Sequence, residues 1–272
     1  MNKIFDKIKI IAFDIDGTIL TYRQHLIHDK IKKMFKTLKD NGYIIVIATG
    51  REYNTVTNIM PQITADYLIG GNGTFIYDLN KQTEVWNNYI NIDSTKDIVN
   101  KLKDEMSNIF ITDSKAIHAI NKINTDNWFW SKYTDKIKLL DFNNVDKNTI
   151  SKIEIFHDFE NALNKIKKAM NEINSPLEIT ASWSRGTFIS NKNVDKIYAI
   201  EVIAKKYGYN LENVMAFGDG ANDYKMIKHA GVGVSVLGRQ GQNINNNKVA
   251  KFIIAPPENF GILEFLEKNK FI

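Results

Sequence analysis

The chain has 272 residues, 43% of them hydrophobic, and a formal net charge of +5. This composition suits a globular protein with one large core or two smaller ones, and it excludes a disordered chain. The absence of cysteine excludes disulfides, thiolate zinc sites and cysteine nucleophiles, and no run approaches the ~18 apolar residues of a membrane span.

The chain opens with a short apolar run, Ile10 to Phe13, that ends on Asp14, Ile15, Asp16, Gly17 and Thr18. An apolar run bounded by turn residues predicts a buried strand. Side chains alternate along an extended backbone, so Asp14 and Asp16 can project the same way, and Gly17 frees the chain to turn sharply after them. Ile31, Met34, Phe35 and Leu38 follow at helical spacing, with a stop near Gly42. Tyr43 to Ala48 reads as a strand buried on both faces, ending on Thr49, Gly50 and Arg51. A helix from about Glu52 to Met60, halted by Pro61, and a strand from Tyr67 to Ile69 complete a β-α-β-α-β pattern, the mark of a doubly wound parallel sheet.

The rhythm then changes. Phe75 to Tyr77 and Thr83 to Trp86 predict a hairpin. Beyond it come a helix over Thr95 to Met106, strands Ile109 to Thr112 and Ala116 to Ile120, an aromatic patch at Trp128, Phe129 and Trp130 assigned to a core, and a strand Lys152 to Phe156. A helix carrying Phe159, Leu163, Ile166, Met170 and Ile173 precedes strands Leu177 to Ser182 and Thr187 to Ser190, on either side of Arg185 and Gly186. Helices followed by adjacent strands predict an α+β domain inserted over residues 84–187, which leaves 1–83 and 188–272 to form one α/β core. Arg185, in the turn between the last two strands, is a candidate substrate contact.

From Asp195 the α/β alternation returns. A helix with Ile200, Ile203, Ala204 and Tyr207 leads to the strand Val214 to Phe217 and the turn Gly218-Asp219-Gly220-Ala221-Asn222-Asp223. Then come a helix through Met226 and Ile227, strands Val232 to Val236 and Phe252 to Ile254, and a terminal helix through Ile262 and Leu266. Strand ends of a parallel sheet converge on one edge, where carboxylates, a hydroxyl, Lys196 and free backbone N–H groups make up a phosphate site. Clustered carboxylates there suit Mg²⁺, a hard ion that takes carboxylates, waters and phosphate oxygens.

On these motifs the chain resembles the haloacid dehalogenase superfamily, specifically Cof-type phosphatases whose large α/β cap lies between the second and third motifs. The resemblance implies a Rossmann-like core with an inserted cap that sets specificity. It implies Asp14 as nucleophile, Asp16 as general acid/base, Thr49 with Gly50 on the phosphoryl group, and Lys196 neutralising nucleophile and phosphate. Asp219 matches the metal-binding acid, with Asp223 supporting the metal and Asn222 a phosphate contact. Asp14, Asp16, Asp219 and Asp223 are thus the expected Mg²⁺ ligands, and Ile15, Arg51 and Asn72 complete the expected phosphate and substrate contacts. Asn72 with Gly73 resembles the asparagine-glycine pair that precedes the cap. Four positions depart from the pattern: Ile197 stands where glycine usually follows the lysine, Asn193 where a glycine precedes it, and Gly238 with Arg239 where an asparagine-alanine pair is customary.

The expected activity is hydrolysis of small phosphorylated metabolites, such as sugar phosphates, through an aspartyl-phosphate. A phosphomutase of the phosphomannomutase type and a non-catalytic phosphometabolite sensor are the alternatives. The lysines alternate with apolar positions as on solvated helix faces, so nucleic acid is not an expected partner, and with no apolar run of membrane length neither is a membrane. The N-terminal apolar stretch is broken by Asp14 before it could act as a signal peptide, and a cytoplasmic monomer or weak homo-oligomer is expected.

Overall fold

The computed structural model describes residues 3–22, 24–124, 131–238 and 244–272. The aromatic patch at Trp128, Phe129 and Trp130, and Arg239 among the departures from the family pattern, lie outside the described residues. The chain divides into two compact units, Met1–Asn87 with Asp195–Ile272, and Asn88–Val194.

In chain order the first unit begins with β1 (Ile10–Phe13), α1 (Asp29–Asp40), β2 (Ile44–Ala48), a single turn α2 (Tyr53–Val56), β3 (Tyr67–Gly70), β4 (Phe75–Asp78) and β5 (Thr83–Asn87). The second unit comprises α3 (Ile92–Leu102), β6 (Asn108–Thr112), β7 (Ile117–Ala119), β8 (Ile137–Leu139), β9 (Lys152–Phe156), α4 (Ala162–Glu172), β10 (Leu177–Trp183) and β11 (Gly186–Asn191). The first unit resumes with α5 (Lys196–Lys206), β12 (Val214–Gly218), α6 (Tyr224–His229), β13 (Val232–Val236), α7 (Ile244–Val249), β14 (Phe252–Ile254) and α8 (Gly261–Lys268).

The first sheet runs β14-β13-β12-β1-β2-β3-β4-β5, parallel from β14 to β3 and antiparallel through β4 and β5. The chain winds outward from β1 through β2 and β3, then returns to lay β12, β13 and β14 on the other side. The strand order therefore reverses between β1 and β12, and a crevice at the carboxyl ends of these two strands is where an open α/β sheet binds its ligand. Alternation along β1 explains the two layers of helices. Ile10 and Ala12 join Ile200, Ile203 and Ala204 of α5 in one buried cluster. Phe13, on the opposite face, packs edge-on against Phe35 of α1 at 5.0 Å and stacks on Phe217 at 5.1 Å, and Phe217 meets Phe265 of α8. Each fully buried aromatic or aliphatic side chain contributes roughly 1.5–3 kcal/mol, which fixes β1 and β12 at the centre.

The second unit is a six-stranded sheet, β10-β11-β9-β6-β7-β8, antiparallel except between β7 and β8. One core joins Ile109, Ile111, Ile153, Ile155 and Ile189 of the sheet to Ile98, Val99 and Leu102 of α3 and Ile166 and Met170 of α4.

Several local expectations change. Of the helix expected over 52–60, only the turn Tyr53–Val56 forms. Thr55 turns its hydroxyl back onto the Glu52 carbonyl at 2.7 Å, the kind of local bond that competes with helix propagation, and Pro61 then falls in a separate short turn. α3 starts at Ile92 rather than Thr95, because Asn91 caps it by accepting the Asp93 N–H at 2.7 Å. The expected domain boundaries at 84 and 187 fall inside β5 and β11. β5 stays with the first unit as the partner of β4, and β11 lies between β10 and β9 in the second sheet.

Candidate active site

Asp14 is the first residue beyond β1, and its N–H donates to the Phe217 carbonyl of β12 at 3.0 Å. Asp219 is the first residue beyond β12. The register that pairs Phe13 with Phe217 therefore brings both carboxylates to the point where the strand order reverses.

Lys196 is the first residue of α5, behind an Asp195 N-cap whose side chain accepts the Tyr198 N–H at 2.8 Å. The Lys196 side chain is wholly buried, and Nζ donates to Oδ1 of Asp14 at 2.5 Å and to Oδ1 of Asp223 at 2.6 Å. The other Asp223 oxygen accepts the N–H groups of Asp219 at 3.1 Å and Gly220 at 2.8 Å, which closes the turn after β12. One oxygen from each of Asp14, Asp219 and Asp223 lies within 4.8 Å of the other two.

Two of the three buried carboxylates, Asp14 and Asp223, share one ammonium, and the charges respond accordingly. Burial pushes Asp14 well above the usual carboxylate range; Lys196 opposes this, and Asp223 and Asp219 reinforce it. Burial and the Asp223 charge push Asp219 up to about 7. Burial alone would discharge Lys196, yet Asp14 and Asp223 outweigh it and raise its proton affinity above the ordinary lysine value. This donor set fits a hard divalent cation, since it offers carboxylate oxygens at close range together with a surplus of negative charge.

A second group comes from the ends of β2 and β3. Thr49 is buried; its hydroxyl accepts the Arg51 N–H at 3.2 Å, and its carbonyl accepts the Asn72 N–H at 3.0 Å. Asn72 takes a left-handed backbone (φ 59°), and its Oδ1 accepts from Nδ2 of Asn222 at 2.8 Å. Gly50 lies under Asn72, where a Cβ would come within 2.9 Å of Oδ1.

Asp16 stands apart from the three clustered carboxylates. Arg51 grips it with two bonds, Nε to Oδ2 at 2.7 Å and an Nη to Oδ1 at 2.6 Å. Of the four expected metal ligands, the structure thus brings together Asp14, Asp219 and Asp223, while the Asp16 side chain pairs with Arg51. Ile15 is buried, with its carbonyl accepting from Ile19 and Leu20. Arg185 lies in the exposed turn between β10 and β11 of the second unit. Asn193 does adopt the left-handed backbone (φ 61°) that glycine would take there.

Three further contacts hold the turn after β12. Thr18 donates to Oδ1 of Asp219 at 3.3 Å, Tyr22 to Oδ2 of Asp219 at 2.8 Å, and buried Asn246 to the Gly220 carbonyl at 2.8 Å. Thr18 adjoins the acidic motif and could have been suspected. Nothing local marks Tyr22 or Asn246.

Residues 11–266 match the family model for haloacid dehalogenase-like hydrolases. A 5-amino-6-(5-phospho-D-ribitylamino)uracil phosphatase of Bacillus subtilis is 30% identical over 240 residues, covering 84% of each chain. A pyridoxal phosphate phosphatase of Escherichia coli is 25% identical, over 84% of this chain and 87% of the relative. A haloalkanoate-superfamily phosphatase structure from Bacteroides thetaiotaomicron superposes with a TM-score of 0.81 at 21% identity, over 97% of this chain and 96% of that one. By the extent of the family match and the nearness of the Bacillus relative, the chain belongs to the haloacid dehalogenase-like hydrolases.

Proposed function

We propose that this protein is a Mg²⁺-dependent phosphatase that hydrolyses small phosphorylated metabolites through an aspartyl-phosphate on Asp14. The observation that carries the reading is the Asp14 carboxylate at the end of β1, held by a buried ammonium within a trio of acids. One Asp14 oxygen is bound by Lys196, which leaves the other to act as nucleophile.

Asp14 attacks phosphorus in line, forming the Asp14–phosphorus bond as the bond to the ester oxygen breaks. Asp16 gives its proton to the departing alkoxide. It then takes a proton from the water that attacks the phosphoenzyme, releasing inorganic phosphate and restoring Asp14. Phosphoryl transfer depends mainly on positioning and on neutralising oxygen charge. Lys196 supplies a fixed positive charge beside the nucleophile. The Thr49 hydroxyl, the Asn222 amide and the N–H groups of Ile15 and Gly50 are the donors for the phosphoryl oxygens, with Asn72 holding Asn222 in place. Asp14, Asp219 and Asp223 would hold Mg²⁺, which when bound neutralises charge on the phosphoryl oxygens. Arg51 holds both Asp16 oxygens, so the acid/base role of Asp16 requires this pair to open.

The second unit is the proposed specificity domain, because the groups above account for the phosphoryl group and proton transfer and leave the remainder of the substrate unread. Two relatives named for small phosphorylated compounds, a ribitylaminouracil phosphate and pyridoxal phosphate, support the substrate class. The test is phosphate release by the full chain with Mg²⁺ over sugar phosphates, nucleotides, pyridoxal phosphate and flavin mononucleotide, with no bisphosphate activator. Turnover of at least one class is expected; release from none would overturn the reading.

A further inference from the structure

Among the three clustered acids, Asp219 is set apart by its partners. Asp14 and Asp223 both contact the Lys196 ammonium, whereas the side-chain donors on Asp219, among the described residues, are two neutral hydroxyls, Thr18 on Oδ1 at 3.3 Å and Tyr22 on Oδ2 at 2.8 Å. The Tyr22 bond has the normal length of an O–H···O contact and the Thr18 bond is long, so Tyr22 is the principal restraint on this carboxylate. The space around Oδ2 is shaped for that contact. A Cβ on Gly17 would overlap Oδ2 and lie 2.6 Å from the Tyr22 ring, so the absence of a side chain there lets the phenol and the carboxylate meet. Beyond β13, Gly238 also borders this oxygen, where a Cβ would stand 3.7 Å away, and a glycine offers it no side-chain donor.

We propose that Tyr22 is a positioning residue for the divalent cation, its phenol O–H fixing Oδ2 of Asp219 so that this carboxylate meets the ion in a single orientation. The inference rests on the reading of Asp14, Asp219 and Asp223 as the cation site. A carboxylate oxygen that accepts one hydrogen bond keeps a second lone pair for a metal. A neutral donor orients the group without cancelling its charge, as an ammonium would. Partners that orient metal ligands in this way typically change affinity by about 10–100-fold when removed.

The experiment is calorimetric titration of the full chain with MgCl₂, without substrate, for wild type, Tyr22→Phe and Asp219→Asn, with metal-free melting temperatures alongside. Tyr22→Phe keeps the ring and removes only the hydroxyl. It is expected to bind Mg²⁺ about 10–100-fold more weakly, with a metal-free melting temperature close to wild type and an unchanged KM for a phosphate ester at saturating Mg²⁺. Should that variant fail to fold, Tyr22→Leu removes the phenol in another way and is read identically. Mg²⁺ binding by the variant equal to or tighter than wild type, with Asp219→Asn impaired, overturns the role of Tyr22 and leaves the cation site standing. Absence of Mg²⁺ binding by wild type, or unimpaired binding by Asp219→Asn, overturns the cation site itself and this inference with it.

Discussion

Replacing Asp219 by asparagine should stabilise the metal-free protein at alkaline pH. Asp219 is almost fully buried, and burial with the Asp223 charge raises its pKa from 3.8 to about 7. A carboxyl group with a raised folded-state pKa binds its proton more tightly in the native than in the unfolded chain, so stability falls as pH rises from about 4 through 7 and stays low above that. At about 1.4 kcal/mol per pH unit, the interval bounds the penalty at about 4 kcal/mol, and sharing of charge among the three acids reduces it. Asparagine keeps the size of the side chain and removes the charge. In excess chelator, urea unfolding of Asp219→Asn should therefore show a gain of about 1–4 kcal/mol over wild type at pH 8, shrinking towards zero near pH 4. In saturating Mg²⁺ the order should reverse, since an ion that binds only the native state stabilises the chain that holds it. A loss of stability at pH 8 without metal, or an equal gain at both pH values, would refute the charge argument.

Lys196→Met should cost about 3–5 kcal/mol in urea unfolding, because it strands the buried carboxylates of Asp14 and Asp223, and the cost should be smaller at pH 5 than at pH 8 as Asp14, which burial holds well above the usual carboxylate range, takes up a proton. Gly17→Ala should lower both stability and Mg²⁺ affinity by calorimetry: its backbone sits at φ 83°, and the new Cβ must displace Asp219 or Tyr22. Exchanging residues 88–194 for the corresponding unit of a relative with a different preferred ester should carry the substrate preference with it; an unchanged preference order in a folded chimera would return specificity to the first unit.

The parts of the molecule that were legible in the sequence are those with a local signal. The apolar runs of β1, β2 and β12 are buried throughout or nearly so, and Ile31, Met34, Phe35 and Leu38 are the four buried residues of α1, as their spacing predicts. Asp14, Lys196 and Asp223 could be assembled in advance because parallel strand ends and the helix starts beside them converge on one edge. Other features carried no such mark. β8 has three residues, two of them exposed, and no alternation to find. The bonds from Thr18 and Tyr22 to Asp219 join residues about 200 positions apart, and a tyrosine outside every motif gives no hint of a partner so remote. Arg51 is an expected substrate contact, and its pairing with Asp16 carries no mark in the sequence because it depends on how the turns after β1 and β2 face one another.

In the proposed mechanism Asp14 carries the phosphoryl group. The most direct measurement is acid quench of the full chain during turnover of its best phosphate ester, followed by mass spectrometry of the peptide that contains Asp14. A phosphoryl adduct on Asp14 is predicted, absent in Asp14→Asn, whose turnover should fall by orders of magnitude. Steady turnover with no adduct on Asp14, together with an Asp14→Asn variant that keeps more than about a tenth of the wild-type rate, would contradict it.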